Sequence, residues 1–253
     1  MTWDPDTYMK FAAERTRPAV ELLARVPLCT PSRIIDLGCG PGNSTALLAA
    51  RWPEAEIEGL ESSPEMLVTA RASGLRATWA EGDVGSWAPT VQYDVVFSNA
   101  VFQWIPDHRT LLPRLLNHVA AGGALAFQVP RNFDAPSHVL MRDVASAGPW
   151  AEKVAAARER HVLSPEAYFG ILAPLSTSLD IWETTYLQVL EGDDPVLAWV
   201  SGSGLRPFVQ PLEEEERKAF IAQYRARLRD AYPRRPDGET LFPFQRLFVV
   251  ARR

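Results

Sequence analysis

The segment DLGCGPG places one acidic residue next to three closely spaced glycines, Gly38, Gly40 and Gly42. The acid, Asp36, ends a short apolar run. Glycine adopts backbone conformations with positive φ and leaves no Cβ in the path of a ligand. A helix that begins near Asn43 would point its free N–H groups toward the same place, where a phosphate or a carboxylate could bind. The segment therefore predicts a ligand-binding loop.

Two common nucleotide-binding loops match this segment poorly. A dinucleotide-binding loop has the pattern GxGxxG, but Asn43 occupies the place of the third glycine. A P-loop has the pattern GxxxxGK followed by Ser or Thr, and no lysine lies nearby. Asp36 would repel a pyrophosphate because both groups are negative. An acid at this position therefore favours a ligand that carries positive charge.

The elements that must position this loop alternate between strand and helix over residues 33–129. Five strands are predicted at RIIDLG, AEIEGLE, LRATWAEGD, YDVVFSNA and GGALAFQVP. The helices are NSTALLAARW, capped at Asn43 or Ser44, SPEMLVTARAS, with Pro64 in its first turn, and DHRTLLPRLLNHVA. We expect His108 and His118 to lie on the surface of the last helix. Such alternation with short loops is typical of an α/β fold with parallel strands and right-handed crossovers.

The alternation stops after Pro130. Two more strands are predicted at DIWETTYLQVL and FQRLFVVARR. A segment with mainly helical patterns precedes each of them. We therefore expect one domain over residues 1–253, with a core of 30–130, 179–191 and 243–253 and an N-terminal arm of 1–29. Residues 131–178 and 192–242 would be helical cap insertions that fold over the strand ends where ligands bind in such sheets.

DLGCGPG resembles motif I of the class I S-adenosylmethionine-dependent methyltransferases, and the resemblance extends across residues 33–129. It implies a doubly wound, mostly parallel, seven-stranded Rossmann-like sheet. It also implies S-adenosylmethionine as the methyl donor and S-adenosylhomocysteine as the product. The donor carries an ammonium and a sulfonium, and these positive charges suit the acid at Asp36.

The same resemblance implies a cofactor site at the ends of successive strands. Glu61 would accept hydrogen bonds from both ribose hydroxyls, and Asp83 would accept one from the adenine amino group while Val84 or Trp87 packs on the ring. Asn99 and Ala100 would lie near the methionine portion. The predicted cofactor-binding residues are Asp36, Gly38, Gly40, Asn43, Glu61, Ser62, Met66, Asp83, Val84, Asn99 and Ala100. Gln103 and Trp104 are expected to line the methyl-transfer cleft as catalytic residues.

Composition and absent motifs exclude or disfavour other classes. The net charge of −5 and the pI of about 5.5 disfavour a general nucleic-acid binder. No (D/N)PPY segment or GxSxG elbow is present, and the four histidines are too scattered for a metal site. No run approaches about 18 apolar residues, and the N-terminus has no apolar signal core. Two cysteines without a CxxC pattern predict reduced thiols in a cytoplasmic protein. Together with the preceding observations, we expect no binding to membranes or metals.

Arginine far outnumbers lysine, since Lys10, Lys153 and Lys218 are the only lysines. Arginine binds carboxylates in a flat, two-pronged geometry. The segments MKFAAERTRPAVELLARVP, HVLMRDVA, WVSGSGLRPF and FPFQRLFVVARR resemble a branch of the same family that esterifies one carboxylate of a small tricarboxylic acid. The substrate-binding candidates are Arg15, Arg142, Arg206 and Arg246, followed by His138 and Tyr8. Four aromatic residues either keep the pocket dry or form the cap core: Trp199, Phe208, Tyr224 and Phe244.

Carboxylate methylation needs no general base, because the acceptor is already ionised at neutral pH. Catalysis would come from holding the acceptor oxygen in line with the methyl group, an effect that can contribute ~7–11 kcal/mol. Three alternatives stay open at this point. The acceptor could be another small molecule, such as a quinone, a lipid or an amine; the protein could bind a nucleotide without catalysis; and an NAD-dependent oxidoreductase is a third reading.

Overall fold

The computed structural model describes residues 12–158, 161–202 and 204–253. Its strands are β1 (Arg33–Leu37), β2 (Glu56–Glu61), β3 (Thr78–Glu81), β4 (Tyr93–Asn99), β5 (Val119–Pro130), β6 (Ser178–Leu190) and β7 (Thr240–Arg252). The helices are α1 (Ala12–Arg25), α2 (Asn43–Arg51), α3 (Pro64–Ala72), α4 (His108–Asn117), α5 (Pro136–Ala147), α6 (Pro165–Leu172), α7 (Pro195–Ser201), α8 (Arg206–Val209) and α9 (Glu214–Ala231). A 3-10 turn, Phe102–Trp104, follows β4.

The strands form one seven-stranded sheet in the order β3-β2-β1-β4-β5-β7-β6. Strands β1 to β5 pair in parallel, and β7 runs antiparallel to β5. The predicted doubly wound, mostly parallel sheet is therefore confirmed. The strand order reverses between β1 and β4, and open α/β sheets bind ligands in the crevice outside the carboxyl ends of such strands.

The helix after the glycine loop begins differently from the prediction. Gly42, with φ of 99°, is the residue that caps α2, and no side chain caps the helix. The expected cap at Asn43 or Ser44 is wrong because the Ser44 hydroxyl donates to Asp36 instead. The next helix, α3, follows the prediction: Pro64 occupies its first turn, and the Ser63 hydroxyl accepts from the Met66 N–H.

His108 is buried, so its predicted surface position is wrong. Its Nε2 donates to the Phe102 carbonyl at 2.8 Å, and its Nδ1 lies 2.7 Å from the Tyr168 hydroxyl. Because a carbonyl only accepts, Nε2 carries the proton and Nδ1 accepts from Tyr168. Burial also lowers the pKa of His108. A neutral histidine thus holds the start of the 3-10 turn that carries Gln103 and Trp104.

The chain divides into two compact units, and each has its own hydrophobic core. The core unit comprises Arg15–Pro130, His161–Thr184 and Arg246–Arg253, and the insert unit contains Arg131–Arg160 and Thr185–Gln245. The apolar residues of β1, β4, β5 and α4 dominate the first core. The second core includes the four aromatic residues that the sequence analysis left between pocket and cap core: Trp199, Phe208, Tyr224 and Phe244. The expected single domain with a cap over the strand ends stays a prediction.

Within the described ranges, no helix combines the length and the apolar character needed to cross a membrane.

Candidate functional site

Two glycines of the DLGCGPG segment have different roles. At Gly38, with φ of 72°, an added Cβ would lie 2.3 Å from a methyl group of Val101. This glycine therefore lets the segment after β4 pack directly on the loop after β1. At Gly40, with φ of 56°, the nearest atom to an added Cβ would be the Met66 sulfur at 3.8 Å. Gly40 therefore has open space on its Cβ side, next to Met66.

Asp36 is fully buried beneath the glycine loop. Its Oδ2 accepts hydrogen bonds of 2.7 Å from the hydroxyls of Ser44 and Thr45, in the first turn of α2. Its Oδ1 is a buried acceptor without a partner in the described part of the chain. Burial raises the pKa of Asp36 to about 6; the two hydroxyls oppose this rise, and the Glu61 carboxylate adds to it. The acid therefore anchors α2 to β1 and places a buried titratable charge under the loop.

Glu61 connects the glycine loop to the loop after β2. Its Oε2 accepts from the Gly40 N–H at 3.0 Å, and its Oε1 accepts from the N–H groups of Ser62 and Ser63 at 2.9 Å. The carboxylate is half-buried, and each of its oxygens has more than one lone-pair direction. Met66 lies beside Gly40 as well. The structure thus brings together four of the predicted cofactor residues: Gly40, Glu61, Ser62 and Met66.

The loop after β3 is held in place from α4. The Arg114 guanidinium donates to the carbonyls of Val84, Gly85 and Trp87. Asp83 is exposed, and its Oδ1 accepts from the Gly85 N–H at 2.7 Å. Val84 is buried in the first core.

Trp87 packs on two other rings of the core unit. Its ring contacts Tyr93 and His118, with centroid distances of 5.7 and 5.4 Å. That Val84 or Trp87 packs on the adenine ring stays a prediction.

The end of β4 carries the residues that were predicted for the methyl-transfer cleft. Ala100 has a positive φ of 59°, which is uncommon for a residue other than glycine. The Gln103 Nε2 donates to the Ala100 carbonyl at 2.6 Å, whereas its Oε1 is a buried acceptor without a partner among the described residues. Trp104 is 52% exposed although it is a large aromatic residue. This turn therefore contains one buried acceptor without a described partner and one ring that is half exposed.

Gln128, on β5, links two predicted residues and was itself missed by sequence reasoning. Its Nε2 donates to the Asn99 Oδ1 at 2.5 Å, and its Oε1 accepts from the Arg246 Nη1 at 3.1 Å. Gln128 and Arg246 are both buried. The only signal in the sequence is one glutamine in the apolar run GALAFQVP. The arrangement joins β4, β5 and β7 at the end of the sheet that carries the glycine loop.

The other substrate candidates fall in different parts of the chain. His138, Arg142 and Arg206 belong to the insert unit, where the His138 Nδ1 lies 3.2 Å from the Ser137 hydroxyl. Tyr8 lies outside the described residues, and Arg15 is on α1. Arg246 is connected to the predicted cofactor residue Asn99 through Gln128. Asn43 is exposed at the start of α2.

The arrangement within the core unit suits a ligand that is both polar and positively charged. Glu61 offers a half-buried carboxylate beside Gly40, and Asp36 adds a buried acid beneath the loop. Among the residues that the structure describes, no three His, Cys, Asp or Glu side chains come close enough to hold a metal ion.

Comparisons with known proteins identify the relatives of this chain. Residues 34–123 match the model of a family described as a methyltransferase domain. The trans-aconitate 2-methyltransferase of Azoarcus sp. is 52% identical over 99% of this chain and 98% of its own length. The enzyme of the same name from Methylobacterium nodulans is 51% identical over 99% and 98%, respectively.

A solved structure shows the same fold at low sequence identity. The phosphoethanolamine N-methyltransferase 2 of Haemonchus contortus, in complex with S-adenosyl-L-methionine, superposes with a TM-score of 0.56 at 16% identity. The match covers 93% of this chain and 52% of the other, so this chain spans about half the length of that enzyme.

The raised pKa of Asp36 predicts a loss of stability as the pH rises. Folding disfavours the ionised form of Asp36. The protonated form therefore contributes stability that is complete below pH 4 and is lost as the pH rises toward and through 6. We expect the free energy of unfolding of the wild type, relative to Asp36→Asn, to fall by about 2 kcal/mol from pH 4.5 to 7.5. Urea titrations of both proteins measure it. A difference that is constant over this range would contradict the prediction.

Proposed function

The chain belongs to the trans-aconitate 2-methyltransferase family, and we propose that it transfers a methyl group from S-adenosylmethionine to one carboxylate of trans-aconitate. The products would be the monomethyl ester and S-adenosylhomocysteine. The observation that carries the proposal is 52% identity to the Azoarcus enzyme over nearly the whole of both chains. The predicted resemblance to S-adenosylmethionine-dependent methyltransferases is confirmed by this membership.

The donor fits the acceptor atoms in the core unit. Glu61 keeps one lone-pair direction, on Oε2, for a ribose hydroxyl after it has bound three loop N–H groups. The negative charge of Asp36 lies beneath the loop and favours a cationic ligand above it. Gly40 binds Glu61 through its N–H group, and Met66 lies next to Gly40.

When bound, the sulfonium cofactor supplies an electrophilic methyl group with a good leaving group behind it. The residues of the chain then have to hold the acceptor oxygen in line and keep water away. No proton has to be removed from an ionised carboxylate, so orientation is the main requirement. Gln103 and Trp104 follow β4 directly, and His108 fixes the turn that carries them. The exposed ring of Trp104 is suited to cover an acceptor in this cleft.

A tricarboxylate also requires cations for the carboxylates that do not react. A reacting carboxylate that is bound too tightly by arginine is a poorer nucleophile, so weaker donors should hold it. Asn99 and Gln103 are neutral and suit that role, while Arg246 lies behind Asn99 in the same hydrogen-bonded group. Arg142 and Arg206 are the proposed donors for the remaining carboxylates, followed by Arg15, His138 and Tyr8.

The reduced thiols favour a cytoplasmic protein. Cys29 is exposed and Cys39 is buried, and both are free. Burial raises the pKa of the Cys39 thiol, so this group stays protonated and unreactive at neutral pH.

One assay tests the activity directly. The protein is incubated with methyl-labelled S-adenosylmethionine and trans-aconitate, cis-aconitate, isocitrate or citrate, and with a panel of phenols and amines as controls. We expect labelled ester with trans-aconitate and little or none with the phenols and amines. Calorimetry with S-adenosylhomocysteine and with NAD accompanies the assay. Cofactor binding without turnover on any acid would overturn the proposal, as would tight binding of NAD alone.

Replacing Glu61 tests the cofactor site. Glu61→Gln leaves one acceptor oxygen and turns an N–H group toward loop N–H donors, so we expect the Kd for S-adenosylhomocysteine to rise about 10- to 100-fold. Glu81→Gln is the matched control, because Glu81 is exposed and lies beside Glu61 in the sheet. Calorimetry measures both variants. Equal affinity of the Glu61 variant and the wild type would remove Glu61 from the site.

Replacing the candidate arginines tests the tricarboxylate site. We expect Arg142→Ala or Arg206→Ala to raise the KM for the tricarboxylate about 10- to 100-fold, with a much smaller change in the KM for the cofactor. Arg71→Ala is a control, because Arg71 is an exposed arginine at the end of α3. Initial-rate kinetics with each substrate varied in turn measure both parameters. Wild-type values for both variants would reject the arginine hypothesis.

A further inference from the structure

Gln128 lies at the centre of a buried polar group at the end of β4, β5 and β7. Its side chain bonds Asn99 and Arg246, and its backbone carbonyl accepts from the Ala100 N–H at 3.0 Å. Gln128 itself is 1% exposed. A single buried residue therefore bonds the side chains of two residues and the backbone of a third.

The orientation of this side-chain amide follows from its partners. A guanidinium has only donors, so the atom that faces Arg246 must be the Gln128 oxygen. The Gln128 NH2 group then faces Asn99, and the Asn99 atom that faces it must be the oxygen. The fixed polarity of one arginine thus sets the orientation of two amides in series.

This order leaves the Asn99 NH2 group on the side away from Gln128. Asn99 is half-buried, and its Nδ2 donates to no acceptor in the described part of the chain. The atom also is not among the buried polar atoms that lack a partner, so it is accessible to solvent. An accessible amide donor with a fixed direction is suited to an oxygen acceptor of a ligand.

We propose that Gln128 is a positioning residue, which holds Asn99 so that its Nδ2 donates to a carboxylate in the cleft. This inference rests on the proposed function, because both the acceptor and the methionine portion of the donor carry a carboxylate. A neutral amide donor orients such an oxygen without the strong charge of a guanidinium. The guanidinium of Arg246 is separated from Asn99 by the side chain of Gln128. Arg246 thereby acts on the ligand through two amides.

Gln128→Glu tests the orientation without changing the shape of the side chain. One carboxylate oxygen still accepts from Arg246, and the other can only accept, so Asn99 has to turn and present its oxygen to the cleft. We expect the KM for the acceptor or the Kd for the cofactor to rise about 10- to 100-fold. The parameter that changes shows which of the two carboxylates is bound. If neither changes in a variant that unfolds at the wild-type temperature, the proposal is overturned.

A double-mutant cycle separates positioning from a merely structural effect. In an Asn99→Ala background, Gln128→Glu should cause no further rise in the same parameter, because the donor is already gone. Effects that add in full would overturn the proposal. If Gln128→Glu does not fold, Asn99→Asp provides a second test at a half-buried position. This variant keeps the bond from Gln128 and turns an acceptor toward the cleft, so the same parameter should rise. Wild-type values would again overturn the proposal.

The two proposals fail in different ways. A wild-type protein that binds S-adenosylhomocysteine but methylates no carboxylic acid overturns the proposed function. A wild-type protein that forms the ester, together with unchanged constants in Gln128→Glu and Asn99→Asp, overturns the positioning role alone.

Discussion

The buried contact between Asp36 and the first turn of α2 is the interaction on which the site depends. The two hydroxyls of Ser44 and Thr45 bind one carboxylate oxygen and so fix the helix start against the end of β1. Between these points the chain has only the glycine loop, whose conformation is therefore set at both ends. Burial of this carboxyl group makes its ionised form unfavourable, as its pKa of about 6 indicates. A cation above the loop would lower that cost, so ligand binding and loop stability favour each other.

Each further loop of the site is fixed by a polar group that reaches it from a neighbouring element. Glu61 binds the glycine loop from β2, Arg114 binds the loop after β3 from α4, and His108 binds the turn after β4. Backbone N–H and carbonyl groups in these loops lack regular ladder partners, so side chains supply the bonds. Each of these loops is thus tied to a neighbouring element by side-chain hydrogen bonds, and loops held in this way suit catalysis by orientation.

The fold followed closely from the sequence because apolar periodicity reports burial directly. The five parallel strands and the two later strands lie where their runs predicted them, since each run fills one face or both faces of the sheet. The glycine loop and Glu61 also stood out in the sequence, because an acid or a glycine at a strand end contrasts with an apolar run; their roles toward a cofactor stay predictions.

Side-chain partners could not be predicted in the same way. Ser44 was predicted as a helix cap because serine often caps helices. Its hydroxyl instead donates to the buried carboxylate of Asp36, eight residues earlier. His108 looked exposed because histidine is polar, yet Tyr168, 60 residues later, provides a buried partner. Gln128 gave almost no signal, since its partners lie on two other strands. Such pairings depend on three-dimensional proximity, which a single sequence does not encode locally.

The division of the chain into units bears on how such enzymes could diversify. The insert unit contains two separate stretches, Arg131–Arg160 and Thr185–Gln245, and its hydrophobic core takes residues from both. A recombination event with one crossover on each side of a single stretch would combine part of this core from one ancestor with the remainder from another. Chimeras between relatives should therefore survive only when both stretches come from the same parent, so that this part of the molecule is inherited as a pair.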